Sequence, residues 1–527
     1  MELQHVLIAG TWRPSRPVSE FRPTNPVTGE LATESYPVSG WQDCDEALAA
    51  GAAAAAALIG TPPETLARFL SRFAERIEAA SAELVDAAHE ESGLPRKPRL
   101  ADVELPRTVN QLRQAAAAAL EGSWALPTID PKINLRSCMG PIGPVLVIGP
   151  NNFPFAYSGA AGGDFAAAIA AGNPVIAKAH PLHPRTARLF AREAHAAVLE
   201  AGLPQATVQM LYHMEPDSGL RFVADPRIGA TAFTGSRAAG LALKAAADMA
   251  GKPIYLELSS INPVVILPGA LAERGPKVAE EFAGSCLLGG GQFCTNPGLV
   301  ILFSGADGDR FMDDVRARFD AAVPPPLLSG GVASSLSESV GRLRAAGAQL
   351  LTGGTPLPAP GSRYANTLLK VSGEHFLASP EILQTEAFGS AALFVVVKDE
   401  EELLAVVGRI HGNLTGSIYT DSKGADDPVH DRALPLLRSR VGRLLNDKMP
   451  TGVAVSPAMN HGGPYPATGH AGFTAVGMPA SLRRFAQLQC YDNVREARLP
   501  AALRGRNPNG KMWRLVDGQW SRGDIGP

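Results

Sequence analysis

The sequence is poor in the residues that mark several classes of protein. Its five cysteines (Cys44, Cys138, Cys286, Cys294 and Cys490) are scattered through 527 residues with no CxxC pair. An odd, dispersed set excludes a disulfide-stapled secreted domain and reads as reduced thiols in a cytoplasm. A basic excess is also missing, since 48 Lys+Arg stand against 51 Asp+Glu for a formal charge of -3. With nothing to neutralise a phosphate backbone, a nucleic-acid partner is excluded. No run approaches the roughly 18 consecutive apolar residues of a membrane helix, so no membrane partner is expected. The opening MELQHVLIAGTWRPS has no basic n-region and does not read as a secretory signal. The 11 histidines do not gather beside acids or cysteines at zinc spacing, so the expectation for metal is none.

What remains is an ordinary globular composition, 45% hydrophobic and 19% charged, in a chain too long for one core. Thr61-Pro62-Pro63-Glu64 reads as a helix start with Thr61 as cap, and Leu66, Phe69, Leu70, Phe73 and Ile77 then share one face. From 143 short apolar strands alternate with helices: PVLVIGP, VIAK, VQMLY, ATAF and IYLEL. That alternation predicts parallel βαβ units, a doubly wound α/β sheet and ligands at the carboxyl ends of its strands. A second α/β block runs from about 263 to about 455, with Pro- and Gly-rich loops. The polar, aromatic tail after 490 reads as either a docked arm or a frayed end.

Chemistry concentrates in a few segments. GGGQFCTNPG places Cys294 on a glycine-rich loop where backbone approaches a substrate closely, although a lone cysteine also reads as a buried structural thiol. GPNNFPF follows a strand, and the amide of Asn151 or Asn152 there can face an oxyanion; a plain turn closed by Pro154 is the alternative. Lys178 closes a strand where a cation can hold ribose hydroxyls or phosphate, or simply face solvent. In AFTGSRAAG a strand meets a Gly235-Ser236 turn and a helix, so the helix start can receive a pyrophosphate or be an ordinary Ser236 cap; no GxGxxG is present there. Glu257 interrupts an apolar strand, where desolvation suits a carboxylate to general-base work.

Taken in order, NFP, the strand-end lysine, FTGS, LEL, GQFC and the EAFG at 386–389 resemble the aldehyde dehydrogenase superfamily. The stretch NDKMPTGVAVSPAMNHGGPYPATGH is similar to the subgroup with α-ketoglutaric semialdehyde dehydrogenases and an NADP-dependent fatty aldehyde dehydrogenase. The resemblance implies that Cys294 attacks the aldehyde, Asn152 holds the oxyanion with the Cys294 N–H, and Glu257 activates water against a thioester. It implies NADP (or NAD) as cofactor, bound by Pro150, Lys178, His180, Gly235, Ser236, Glu386 and Phe388, on a Rossmann variant without the glycine fingerprint. Phe153, Phe155, Tyr157 and Phe473 are the expected walls of an apolar or aromatic substrate tunnel. The implied fold is a Rossmann-like cofactor domain (1–125 and 145–262), a second α/β catalytic domain (263–455) and a small β oligomerisation segment (126–144 and 470–490), with a C-terminal arm at 491–527. The partners implied are a small-molecule aldehyde and other copies of the chain, as a homodimer or homotetramer.

Two departures matter. Ser259-Ser260-Ile261 stands where many members have Gly-Gly-Lys, and Gly472-Phe473 stands where the subgroup often carries an arginine. The second removes a cation that would meet a substrate carboxylate, which leaves aromatic and fatty aldehydes as alternatives to α-ketoglutaric semialdehyde. A CoA-acylating enzyme has less need of a base such as Glu257, and an inactive relative less need of Cys294, Asn152 and Glu257 together.

Overall fold

A computed structural model describes residues 3–358 and 360–525. The first large sheet has seven strands in the spatial order Ile254–Glu257, Ala230–Thr234, Val145–Ile148, Val175–Lys178, Val208–Leu211, Val6–Ile8, Thr11–Arg13. The first five run parallel, and the two N-terminal strands close the edge antiparallel. Their β-branched and leucine side chains are buried because helices cover both faces, as continuous apolar strands require. The chain steps outward from Val145–Ile148 on one side, then returns to add Ala230–Thr234 on the other. That reversal opens a crevice at the carboxyl ends of these two strands.

A second seven-stranded sheet holds Gln349–Thr352, Thr367–Ser372, Ala391–Val397, Leu299–Phe303, Val264–Ile266, Asn413–Tyr419 and Val441–Asn446, in that spatial order. All but the first are parallel to their neighbours. Two separate apolar clusters fill its faces. A five-stranded sheet joins Leu135–Pro141, paired antiparallel with Ala486–Asp492, to Thr128–Asp130 and to the tail strands Arg514–Val516 and Gln519–Ser521. The tail is thus docked, with Arg514 buried and donating to three carbonyls. Residues 470–485 carry no strand; Phe473, Ala475 and Val476 pack instead against Tyr157.

The helix Pro63–Ala79 buries Leu66, Phe69, Leu70, Phe73 and Ile77 as its periodicity requires. Its cap is not Thr61 but Pro62, one residue later, and no side chain caps the end. Pro62 and Pro63 lack N–H groups, so less is left there for a Thr hydroxyl to satisfy. No helix among the described residues is long and apolar enough to cross a membrane.

Candidate active site

The loop bearing Cys294 is shaped by three successive glycines. Gly289, Gly290 and Gly291 have φ of 59°, 69° and 68°, a left-handed run that side chains with a Cβ rarely adopt. A Cβ on Gly291 would sit 2.1 Å from the Gly389 carbonyl, so this loop interlocks with the Glu386–Gly389 segment. Asn262 then pins the loop, donating from Nδ2 to the carbonyls of Cys294 and Asn296, each at 2.9 Å.

Asn152 follows the strand Val145–Ile148 and reaches the same loop, donating from Nδ2 to the Gln292 carbonyl at 3.0 Å. Glu257 ends its strand fully buried, with Oε1 2.8 Å from His461 Nε2 and Oε2 without a partner. The same His461 nitrogen lies 3.5 Å from Cys294 Sγ. Burial, reinforced by the Glu257 carboxylate, pushes the Cys294 thiol well up. Both effects disfavour the thiolate, and the imidazole N–H that donates to Glu257 stands beside the sulfur.

His461 was not visible as a site residue in the sequence. It lies 167 residues from Cys294, on an irregular stretch held by its N–H to Thr474 Oγ1 (3.0 Å) and by Ala475 N–H to its carbonyl (2.9 Å). Only the concentration of small residues and prolines in NHGGPYP hinted at a built loop. The ligand atoms of Glu257, Cys294 and His461 lie within 4.8 Å of one another, a grouping local spacing could not reveal. The His461 N–H that donates to Glu257 ties the three into one hydrogen-bonded group.

Of the four expected tunnel residues, three meet. Phe153, Tyr157 and Phe473 form one buried cluster, with Phe153 and Tyr157 edge-on at 5.3 Å and Tyr157 5.7 Å from His461. Phe155 does not join them. It is 0% exposed, packs on Phe190 at 5.4 Å and belongs to the main core, because the turn at 153–157 sends alternate rings to opposite sides. Glu104 fixes that turn by accepting the Phe155 and Ala156 N–H groups at 2.9 and 3.0 Å.

The expected cofactor residues follow strands of the first large sheet or precede a strand of the second. Pro150 follows Val145–Ile148, and its carbonyl is 3.0 Å from His183 Nε2. Lys178 ends its strand with only a 3.4 Å contact to the Ala179 carbonyl, and burial lowers its ammonium to about 8. His180 stacks on His183 at 5.3 Å; burial and then the neighbouring His183 and Lys178 charges hold it well below the usual histidine range. Its Nδ1 accepts from Leu182 N–H at 3.2 Å, which leaves Nε2–H as a donor. Ser236 caps the helix Arg237–Met249, and Gly235 lies just before it at the carboxyl end of Ala230–Thr234. Glu386 and Phe388 share a cavity with Ser260, Ile261, Gly291 and Phe293. Burial pushes Glu386 up to about 7, against hydrogen bonds from Ser259 and the Ser260 N–H. The two serines that replace the usual glycines thus hold this carboxylate.

A half-buried, under-paired lysine, a helix start and a buried carboxylate have the chemistry to fit the ribose, pyrophosphate and second ribose of a dinucleotide. The sequence matches the aldehyde dehydrogenase family over residues 12–432. This chain belongs to that family. Among its relatives, α-ketoglutaric semialdehyde dehydrogenase 2 of Azospirillum brasilense is 37% identical over 532 residues, covering 98% of this chain and 100% of the relative. The α-ketoglutaric semialdehyde dehydrogenase of Acinetobacter baylyi is also 37% identical, covering 87% and 88%. The fold matches 1-pyrroline-5-carboxylate dehydrogenase from Thermus with bound NAD at a TM-score of 0.79, with 24% identity and 93% and 92% coverage. Lactaldehyde dehydrogenase from Escherichia coli matches at 0.78, with 22% identity and 93% and 98% coverage. As a member of the family, the chain is an NAD(P)-dependent oxidoreductase acting on an aldehyde.

Proposed function

We propose that the chain oxidises α-ketoglutaric semialdehyde to the dicarboxylic acid, with water and not CoA releasing the product. The single observation behind this mechanism is the His461 nitrogen set between Cys294 Sγ and Glu257 Oε1. The Glu257 carboxylate can only accept, so His461 Nε2 carries the hydrogen of that bond and has no lone pair for the thiol proton. Cys294 gives its proton to solvent, the same N–H faces the thiolate 3.5 Å away, and the thiolate attacks the carbonyl. The alkoxide of the thiohemiacetal is held by the Asn152 amide and the Cys294 N–H. NAD(P), when bound, supplies the acceptor for the hydride that leaves that carbon and yields a thioester. Glu257 Oε2, buried and without a partner, is free to take a proton from the water that hydrolyses it.

Pro150, Lys178, His180, Gly235, Ser236, Glu386 and Phe388 are the cofactor-binding set in this reading, and Phe153, Tyr157 and Phe473 wall the substrate. The domains run 1–125 with 145–262 for cofactor and 263–455 for catalysis, with 126–144 and 470–490 serving oligomerisation and 491–527 as an arm. Assembly is a homodimer or homotetramer in the cytoplasm. The preference is for NADP, because Pro181 occupies a position where an acid would repel a 2′-phosphate and His180 offers it a donor. The decisive experiment is Glu257→Gln under rapid mixing with α-ketoglutaric semialdehyde. We expect one enzyme equivalent of NADPH in a burst, then a stalled steady state. Loss of the burst with Cys294 still reactive would place Glu257 before hydride transfer, on the thiol itself.

A further inference from the structure

Glu257, Cys294 and His461 form a set whose chemistry goes beyond what oxidation of an aldehyde needs. One atom from each, a carboxylate oxygen, a sulfur and an imidazole nitrogen, lies within 4.8 Å of the other two. His461 Nε2 is 3.5 Å from Cys294 Sγ and 2.8 Å from Glu257 Oε1. The second carboxylate oxygen, Glu257 Oε2, is buried and has no partner. Separations of 167 and 204 residues along the chain keep this grouping from showing as zinc spacing in the sequence.

These distances approach those around a tetrahedral zinc ion. Bonds of about 2.3 Å to sulfur and about 2.0 Å to nitrogen and oxygen set S and N about 3.5 Å apart, and N and O about 3.3 Å apart. The Cys294–His461 edge already has that length. The Glu257–His461 edge is short by about half an ångström, a difference met by a small withdrawal of the carboxylate or by its rotation to present Oε2. Thiolate, imidazole and carboxylate together select zinc over Mg2+ and Ca2+, which take oxygen ligands. The two charges of the ion balance one thiolate and one carboxylate, so the buried site becomes neutral. Cys294 is partly exposed, which gives an ion a way in.

We propose that Cys294, His461 and Glu257 bind one Zn2+ reversibly, and that the occupied site is an inhibited form of the enzyme. The inhibition rests on the dehydrogenase reading above; the binding does not. Binding releases the thiol proton to solvent and leaves the His461 hydrogen on Nδ1, so that Nε2 coordinates the ion. Water takes the fourth position. With its sulfur committed to the metal, Cys294 no longer attacks a carbonyl, and Glu257 no longer activates water. Arg107 acts on the same sulfur and opposes a cation, so the affinity stays below that of a closed structural site and a chelator reverses it.

The test follows zinc without turnover. The full chain is titrated with Zn2+ against a fluorescent zinc indicator, and iodoacetamide labelling of Cys294 is followed by peptide mass. We expect one ion per chain and labelling of Cys294 slowed at least about tenfold, restored by EDTA and unaffected by Mg2+ or Ca2+. Cys490, which is exposed, should be labelled at the same rate with and without zinc. Cys294→Ala and His461→Ala should each weaken the Zn2+ Kd at least about tenfold. If either fails to fold, Glu257→Gln supplies the same measurement, with the affinity again falling. Wild-type affinity retained in these variants, or equal protection of Cys294 by Ca2+, overturns the proposal. Zinc bound at this site with NADPH formation undiminished overturns the inhibition. Zinc bound at this site in a chain that forms no NADPH from any aldehyde in EDTA leaves the metal site standing and overturns the dehydrogenase reading.

Discussion

At the scale of single residues, the site divides into groups visible from neighbouring sequence and groups that only the fold assembles. The Cys294 thiol is pushed well up by burial, so its ionisation costs activity at neutral pH unless a donor stabilises the thiolate. The His461 N–H is that donor in the mechanism proposed here. His461→Ala should lower kcat/KM about tenfold and move the rising limb of its pH profile to more alkaline values. The sign follows from the thiol: with its ionised form disfavoured and no N–H facing the sulfur, a higher pH is needed to generate the thiolate. A limb that stays in place would leave His461 only as the group that holds Glu257. His180 allows a second measurement. It is held neutral by burial, and its Nε2–H is free to donate. His180→Ala should cut kcat/KM for NADP about tenfold more than for NAD, the worth of one hydrogen bond to a charged group. Wild-type use of NAD more than about tenfold better than NADP would refute the preference itself and implicate Glu215, exposed at the start of the helix Pro216–Val223. Cys294, Asn152 and Glu257 could be named from sequence because each lies in a short motif beside a strand or glycine loop. His461 could not, since its meaning depends on a contact across 167 residues.

Elements decide which of those residues meet. The alternation of apolar strands with helices was legible because buried parallel strands have few ways to be written, and Val145–Ile148, Val175–Lys178, Ala230–Thr234 and Ile254–Glu257 all pair in register. The turn after the first of these was less legible. Phe153, Phe155 and Tyr157 look equivalent in sequence, yet the Glu104 carboxylate fixes a turn that turns Phe155 into the core. The triple-glycine loop shows the same dependence on an element's surroundings. Gly291 has φ 68° and faces the Gly389 carbonyl, so backbone conformation and space both demand glycine. Gly291→Ala should therefore displace the Cys294 loop from the Glu386 segment, reducing kcat at least about tenfold through misplacement of the reacting groups. Its melting temperature should also drop, by several degrees. Full activity in this variant would mean that the loop relaxes without moving Cys294, and the interlock would not matter.

For the whole molecule, the question is how the small five-stranded sheet is finished. Its strand Ala486–Asp492 pairs with Leu135–Pro141 on one side and has no partner strand on the other among the described residues. An open edge presents a row of unpaired N–H and C=O groups, which proteins blunt or cover. This edge is not blunted: it runs seven residues, contains no proline or charge before Asp492, and leaves Leu488 69% exposed. The other end of the sheet is different, because the tail strands Arg514–Val516 and Gln519–Ser521 fold back on the same chain and Arg514 is locked beneath them. The tail therefore finishes one edge internally, and a second copy of the chain is the cover proposed for the other. A charge placed on that strand should oppose assembly without touching the active site, since Leu488 is in neither large core nor the catalytic cluster. Leu488→Lys should shift the light-scattering mass of the native assembly towards the monomer at micromolar concentration. If wild type and variant show the same multimeric mass, the strand is not the interface. If wild type itself is a monomer, the homodimer or homotetramer proposed here falls.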